Sequence, residues 1–396
     1  MKTYKTYFNR IKKAVLASAA AVLLMVNTSC ERRDLWVFQD QFKQILLIID
    51  WRNYDRDQQL YPHTPDPDGM TLWFFPKDGR KSYRYTTSEV NRYEVYLSEG
   101  DYEGLVIDYS PAEYGHQEFI GMDYANTAEV RSIPSYYQPN KYPELYGPEA
   151  YGKTLPSKID STGYYTVAYE PEKMASDTIF FHVKSGEYSN YIPYEERNSY
   201  QSTLEKQQFN MYPLVVPWRM RVRVYIRGIN YLYQTTGSIA GLASGFMLAE
   251  NHTNERPCLL ALEDWQVYGD KANSAGIDGG LGYIAMTFNT WGMRNSLWAQ
   301  YDKSQPLPPY SLDNVAKDEL RLNLRFLLRD RATVLNYHFD VGDMVTVYQN
   351  EYVLRIDLLD GFDGQPVLPY VDAFNGMAFD GIVVPWEDTI EKQISF

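Results

Sequence analysis

The chain has 396 residues, a formal net charge of −13 and 36 tyrosines, and 44% of its residues are hydrophobic. This composition is typical of a folded protein with one large domain or two ordinary ones, and it excludes a disordered chain. The acidic balance, with no basic tract, speaks against an exposed nucleic-acid-binding surface. Two cysteines, Cys30 and Cys258, are too few for a disulfide framework.

Residues 1–29 have the layout of a secretory signal peptide. Residues 1–13 contain five basic residues and no acidic ones, and an apolar segment follows at 14–26. Asn27, Thr28 and Ser29 then connect this segment to Cys30. The apolar segment is too short for a membrane-spanning helix, which needs about 20 residues. An uncleaved anchor and a buried helix are the less favoured alternatives. No later stretch is apolar for long enough to span a bilayer.

Cys30 stands at the expected cleavage point, directly after Ser29. A cysteine there resembles the lipoprotein signal of bacteria, in which the thiol receives a diacylglycerol group and becomes the first residue of the mature protein. Thr28 and Ser29 fit the small positions of that signal, whereas Asn27 stands where leucine is common. The resemblance implies cleavage between Ser29 and Cys30, further acylation such as by palmitate, and stable membrane anchoring. Plain secretion is the alternative.

Beyond a short tether at 30–41, two-residue alternation of apolar and polar residues dominates the chain. The clearest example is 218–227, where arginines interleave with buried-type residues, and 42–50 ends in the continuous apolar run of a strand buried on both faces. Strands are predicted at 42–50, 93–97, 178–183, 218–227, 319–328 and 343–349. Short strands between Gly- and Pro-rich turns indicate an all-β protein built from antiparallel sandwiches.

Three segments do not follow this pattern. Residues 194–208 could form a helix, and the small residues of 237–248 suggest a turn or a short helix. Residues 131–170, rich in Tyr, Pro and Gly, are predicted to be a long irregular loop inside the first domain. A polar stretch at about 187–212 is the predicted boundary between an N-terminal β-sandwich domain at 42–205 and a C-terminal one at 213–396.

No catalytic or metal-binding motif is visible in the sequence. The five histidines are scattered, and 276–282 lacks the spacing of a dinucleotide-binding loop and is interpreted as a turn. Turn chemistry, rather than Ca²⁺ binding, is the favoured role of the aspartates in Gly-rich segments, Asp66, Asp68, Asp357, Asp360 and Asp363. Cys258 lies among apolar residues and is expected to be an inert core residue. We therefore expect a non-enzymatic protein without a cofactor.

Several segments resemble a lipoprotein family of unknown function from Bacteroidales. That family is related to the fimbrillin-like anchor subunits of type V fimbriae, and 221–248 resembles the start of the second domain of those anchors. The segments that carry the resemblance are CERRDL (30–35), DWRNYD (50–55), PDGMTLWFFPKDG (67–79), YEVYLSEGDYEGLVIDYSP (93–111) and GMDYANTAEV (121–130).

The resemblance implies two tandem transthyretin-like β-sandwich domains of seven strands each, held in the outer membrane by lipidated Cys30. Such anchors hold the base of a fibre, and neighbouring subunits join by strand addition, in which an extended segment of one subunit completes the sheet of the next. The expected function is an anchor or accessory subunit of a fimbria-like surface fibre. Arg32 and Arg33 interrupt the acidic run that marks surface export in Bacteroidales, so the membrane face stays open.

Two alternatives remain at this point. The segment 381–396 is expected to close the second domain, and donation of this segment to a neighbouring subunit is the other interpretation. The chain could also be a surface lipoprotein that binds glycans. In that case the Tyr-rich loop at 131–165, together with Trp73, Trp291 and Trp298, would offer rings on which sugars stack, although packing in a core is the commoner role of such rings.

Overall fold

We describe the protein from a computed structural model. The part of the chain that the structure describes comprises residues 42–54, 66–136, 142–152, 167–184, 207–269, 279–294, 320–348, 351–358, 368–372 and 390–391. Within it there are 23 strands, two one-turn α-helices and four 3₁₀ turns, which confirms the all-β prediction. The predicted signal peptide and tether, with Ser29 and Cys30, lie outside the described residues.

Strands occur at all six positions that the alternation predicts. The strands of the first half are β1 (Phe42–Ile49), β2 (Met70–Pro76), β3 (Tyr83–Thr87), β4 (Arg92–Ser98), β5 (Gly100–Asp108), β6 (Gln117–Ile120), β7 (Glu129–Ser132), β8 (Val167–Ala168) and β9 (Ala175–Val183). Those of the second half are β10 (Gln207–Met211), β11 (Leu214–Val215), β12 (Trp218–Arg227), β13 (Leu232–Ala243), β14 (Gly245–Met247), β15 (His252–Thr253), β16 (Pro257–Leu262), β17 (Gln266–Gly269), β18 (Leu281–Thr290), β19 (Arg321–Leu328), β20 (Val334–Asp340), β21 (Val345–Tyr348), β22 (Glu351–Leu358) and β23 (Ile390–Glu391).

The chain divides into two compact units. Of the described residues, the smaller unit holds 42–45, 95–99, 183–184 and 207, and the larger unit holds the rest. The larger unit contains the cores and surfaces discussed below. The division into domains at 42–205 and 213–396 stays a prediction.

Two sheets enclose the largest core of the described residues. Their strand orders are β17–β18–β12–β22–β21 and β23–β20–β19–β13–β16–β8. The apolar residues of β12 point inward, and Val222 and Val224 pack with Leu322 and Leu324 of β19, all fully buried. β12 pairs antiparallel with β18 but parallel with β22. The expectation of antiparallel sheets is therefore wrong at this pair, because a long crossover brings β22 beside β12 in the same direction.

Residues 237–248 form strands, so the prediction of a turn or short helix is wrong. They belong to β13, which lies between β16 and β19, and to β14. The small residues are needed for close packing: a Cβ on Gly237 would lie 2.8 Å from the carbonyl oxygen of Asn323. Ser238 and Ala240 are fully buried beneath a helical segment.

That helical segment lies within 131–170, where an irregular loop is predicted. It consists of α1 (Pro143–Tyr146) and α2 (Pro148–Tyr151), each with proline in its first turn, where the missing N–H is tolerated. The Oγ of Ser238 donates to the carbonyl of Leu145 at 2.5 Å, and the Nδ2 of Asn323 donates to the carbonyl of Ala150 at 2.9 Å. The two helices therefore cover one face of the six-stranded sheet.

Strands β2, β3, β5 and β9 of the first half form a sheet with β11 of the second, in the order β11–β9–β5–β2–β3, and β1 and β4 form one with β10, in the order β10–β1–β4. A four-stranded sheet, β15–β14–β7–β6, takes strands from both halves, and β7 pairs antiparallel with β14. Residues 207 and 208, at the end of the segment 194–208 that could form a helix, belong to β10. The rest of that segment lies outside the described residues.

Candidate binding surface

The tryptophans that the glycan-binding alternative would use are core residues where the structure describes them. Trp73 is 3% exposed and Trp291 1%, and both belong to a core between β2, β5, β7 and β14. The indole N–H of Trp291 donates to the Oγ of Ser132 at 3.0 Å. Core packing, the favoured interpretation of these rings, is therefore confirmed for Trp73 and Trp291, and the sugar-stacking alternative does not apply to them. Trp298 lies outside the described residues.

Only part of the Tyr-rich loop at 131–165 is described. Tyr146 of α1 and Tyr151 of α2 are buried, whereas Tyr136 is 71% exposed. The ring centroids of Tyr136 and Tyr169 are 6.0 Å apart. The sequence could not separate these cases, because each tyrosine sits among the same kinds of neighbours. The described tyrosines of this loop do not form a continuous aromatic surface.

Cys258 fits the prediction of an inert core residue. It is 5% exposed on β16, and burial raises the pKa of its thiol to about 12. A thiol with so high a pKa is not a nucleophile at neutral pH. Within the described ranges, no three His, Cys, Asp or Glu side chains are grouped so that they could hold a metal ion.

The outer face of the sheet β17–β18–β12–β22–β21 carries the most distinctive set of side chains. On β12 the alternation that buries Val222 and Val224 turns Arg221, Arg223 and Tyr225 outward. Tyr225 lies opposite Tyr283 of β18, and Tyr283 lies opposite Tyr268 of the edge strand β17. Three tyrosines on three neighbouring strands therefore form one row across the sheet.

The rings of this row are in contact. The centroids of Tyr268 and Tyr283 are 4.7 Å apart with nearly parallel planes, and those of Tyr283 and Tyr225 are 5.5 Å apart. Tyr268, on the edge strand, is 48% exposed. Nearly half of Tyr268 is therefore accessible at the sheet edge.

Two arginines lie over this row. The guanidinium carbon of Arg355 is 4.5 Å from the ring centroid of Tyr225, and that of Arg223 is 5.8 Å from the centroid of Tyr283. Such cation–π contacts hold a guanidinium group against a ring. We call the set Tyr225, Tyr268, Tyr283, Arg223 and Arg355 the Tyr–Arg face.

Charge is distributed unevenly along β12. Toward its start, Glu351 of β22 accepts from Arg219 at 3.1 Å and from Arg221 at 2.7 Å. Farther along, Arg223 lies directly opposite Arg355 in the parallel register. Like charges at opposed positions of neighbouring strands are unfavourable. A second carboxylate, Asp357 of β22, lies opposite Tyr225 and two residues along from Arg355. The outward side chains of β12 and β22 thus include five arginines, Arg219, Arg221, Arg223, Arg227 and Arg355, and two carboxylates, Glu351 and Asp357.

A second surface is an incompletely paired strand edge. β11 pairs with β9 only at Ala175 and Ser176, and no other described strand pairs with that side of β9. The carbonyl of Met174 points to this side, where it accepts from the amide of Val216. By alternation, the backbone groups of residue 180 point there as well. We call residues 178–181 the β9 edge. Within it, the amide of Thr178 donates to the Oδ1 of Asp177 at 2.7 Å. Phe180 of this edge is 66% exposed.

Comparison with known sequences gives one family and no curated relative. A family described as a domain of unknown function, DUF5119, matches residues 29–263. No curated protein matches the chain. In the described part of the chain, no helix is long and apolar enough to cross a membrane.

Several solved structures are similar to the chain. A candidate adhesin from Bacteroides ovatus is 15% identical with a TM-score of 0.47, over 86% of this chain and 98% of that one. The fimbrial anchor protein Mfa2 from Porphyromonas gingivalis is 9% identical with a TM-score of 0.40, over 80% and 90%. A candidate polysaccharide-binding protein (DUF1812) from Bacteroides thetaiotaomicron is 9% identical with a TM-score of 0.39, over 80% and 90%. Identity and TM-score are low in all three cases, and nothing about this chain's activity follows from them.

Proposed function

We propose that this chain, which belongs to the DUF5119 family, is a non-enzymatic subunit of a fimbria-like surface fibre. Because the function of that family is unknown, the proposal rests on the residues of the chain itself. In this proposal the signal peptide is removed after Ser29 and lipid on Cys30 holds the protein in the outer membrane. The protein acts as an anchor or accessory subunit, and its partners are other fibre subunits.

The observation that carries the proposal is the β9 edge. A sheet edge with unpaired N–H and C=O groups is a template for an added strand, and proteins usually cover or shorten such edges. Here the two-residue strand β11 covers only the start of β9, and an exposed phenylalanine stands farther along. An extended segment of a neighbouring subunit could continue the sheet at this edge through main-chain hydrogen bonds.

The test of strand addition uses Phe180. In Phe180→Pro the amide N–H that would bond an added strand is missing, while residue 180 directs no hydrogen bond toward β5. Phe180→Ala removes the ring but keeps the N–H and is the matched control. We expect Phe180→Pro to lose the subunits that co-purify with the tagged chain from cells, and Phe180→Ala to keep most of them. Equal co-purification by both variants, each with near-normal thermal stability, would contradict strand addition at this edge.

The test of anchoring uses the two cysteines of the chain. We expect Cys30→Ala to abolish uptake of labelled palmitate and to release the protein from the membrane pellet, because no acyl chain can then be attached. Cys258→Ala removes the buried thiol and is the control, which should stay labelled and membrane-bound. A Cys30→Ala protein that still takes up palmitate and still pellets with membranes would rule out the proposed attachment site.

A glycan-binding lipoprotein is the second candidate function. Trp73 and Trp291 no longer support it, since both rings are buried. The observation that favours it is instead the Tyr–Arg face, where exposed rings and guanidinium groups lie together on a sheet.

A further inference from the structure

We propose that the Tyr–Arg face is a binding site for acidic polysaccharides, with carboxylate groups held by Arg223 and Arg355 and a sugar ring packed against Tyr268. The inference deepens the second candidate function. It is independent of the fibre, because a chain that joins no fibre could still bind at this face.

The first argument is charge. Arg223 and Arg355 lie opposite each other on neighbouring strands, and neither forms an ion pair with a described residue. The chain as a whole carries a formal net charge of −13, so this face is a local reversal of sign. A bound anion would remove the repulsion between the two guanidinium groups, and its binding would thereby stabilise the sheet.

The second argument is geometry. Each guanidinium lies over a tyrosine ring, at 4.5 Å for Arg355 and 5.8 Å for Arg223. The rings limit the motion of the two arginine side chains, so less conformational entropy is lost when a ligand binds. A planar guanidinium can donate two parallel N–H bonds to one carboxylate, and two such groups on adjacent strands fit successive acidic groups of a polymer.

The third argument concerns the kind of partner. The side chains that flank this row on the same face are Gln266, Ala285, Leu281 and Asp357. Leu281 is the one large apolar side chain among them, so the row lacks the broad apolar centre of a typical protein interface. Aromatic rings with polar tips suit a partner that is apolar on one side and hydrated on the other. Sugars have this character, since their C–H faces pack on rings and their hydroxyl groups take hydrogen bonds. These features favour a carbohydrate over an acidic protein.

The test measures binding of the protein, purified from cells in detergent, to polygalacturonate at low salt. We expect binding that weakens as salt is raised, with no binding to uncharged dextran. The double variant Arg223→Gln/Arg355→Gln should bind at least about tenfold more weakly, the effect of losing two charge-assisted contacts. Arg84→Gln, which removes an exposed arginine from β3 on another sheet, is the matched control and should bind normally.

The double variant removes two opposed like charges and two cation–π contacts, which act on stability in opposite directions, so we expect a melting temperature close to that of the unaltered chain and measure it alongside binding. Tyr268→Ser provides a second readout and should weaken binding of polygalacturonate. Unchanged affinity in the double variant, or no binding by the unaltered chain, would overturn the site. The carbohydrate assignment would be overturned if polyglutamate bound as tightly as polygalacturonate, and if its binding were lost in the double variant but unaffected by Tyr268→Ser. That result would indicate an acidic protein partner.

Discussion

At the scale of single residues, a buried carboxylate connects the fold to pH. Asp108, at the end of β5, is fully buried, and its Oδ1 accepts from the amide of Ala175 at 2.8 Å and from the hydroxyl of Tyr114 at 2.7 Å. Burial raises the pKa of Asp108 to about 6, against 3.8 when unfolded, although the two hydrogen bonds act in the other direction. The folded state therefore binds a proton more tightly than the unfolded state does.

This pKa shift predicts that Asp108 makes the fold less stable as pH rises from about 4 to about 6. A shift of about two units corresponds to about 3 kcal/mol of unfolding free energy, present below pH 4 and lost above pH 6. In Asp108→Asn the contribution is absent, so on going from pH 7 to pH 4 the unaltered chain should gain about 3 kcal/mol of urea stability relative to the variant. Asp343→Asn, at an exposed turn, is the control. Identical pH responses of the Asp108→Asn variant and the unaltered chain would contradict the prediction.

At the scale of elements, alternation identifies strands that have one buried face, but it does not identify a strand that is packed on both faces. The pattern at 218–227 predicts a half-buried strand, and the structure confirms it. The residues of β13 carry no such signal, because a strand packed on both faces beneath α1 and α2 needs small side chains on the helix side. A segment of Gly, Ala and Ser therefore looked like a turn, although it forms one of the most buried strands of the chain.

The same limit applies to the candidate surface. The arginines of β12 are visible in the sequence as the polar half of the alternation. Arg223 lies opposite Arg355 because β22, which is distant in the sequence, pairs with β12. A local sequence pattern does not predict such a long-range pairing. Likewise, Trp73 and Trp291 are rings whose burial is decided by β7 and β14 packing nearby. Residue type indicates what a site could contain, and the sheet topology decides which residues share it.

At the scale of the whole molecule, one carboxylate joins elements from the two halves of the chain. Glu129 of β7 is 7% exposed, and its Oε1 accepts from the Nδ2 of Asn254 at 2.8 Å and pairs with Arg256. The β7–β14 pairing lies at the same place, with Glu129 opposite Met247. Removing the charge of Glu129 should therefore destabilise the sheet β15–β14–β7–β6 and, with it, the connection between the two halves of the chain.

We expect Glu129→Gln to lower the free energy of unfolding by about 2 kcal/mol, the value of hydrogen bonds to a charged group, and to shift a single calorimetric transition downward as a unit. Glu118→Gln is the matched control, since it breaks the Glu118–Arg131 pair within β6 and β7. That pair is far more exposed than Glu129, so its loss should cost about 1 kcal/mol or less. Two separate transitions, of which Glu129→Gln moves only one, would show that residues 42–205 and 213–396 unfold independently, and that Glu129 stabilises one domain and not the connection between them.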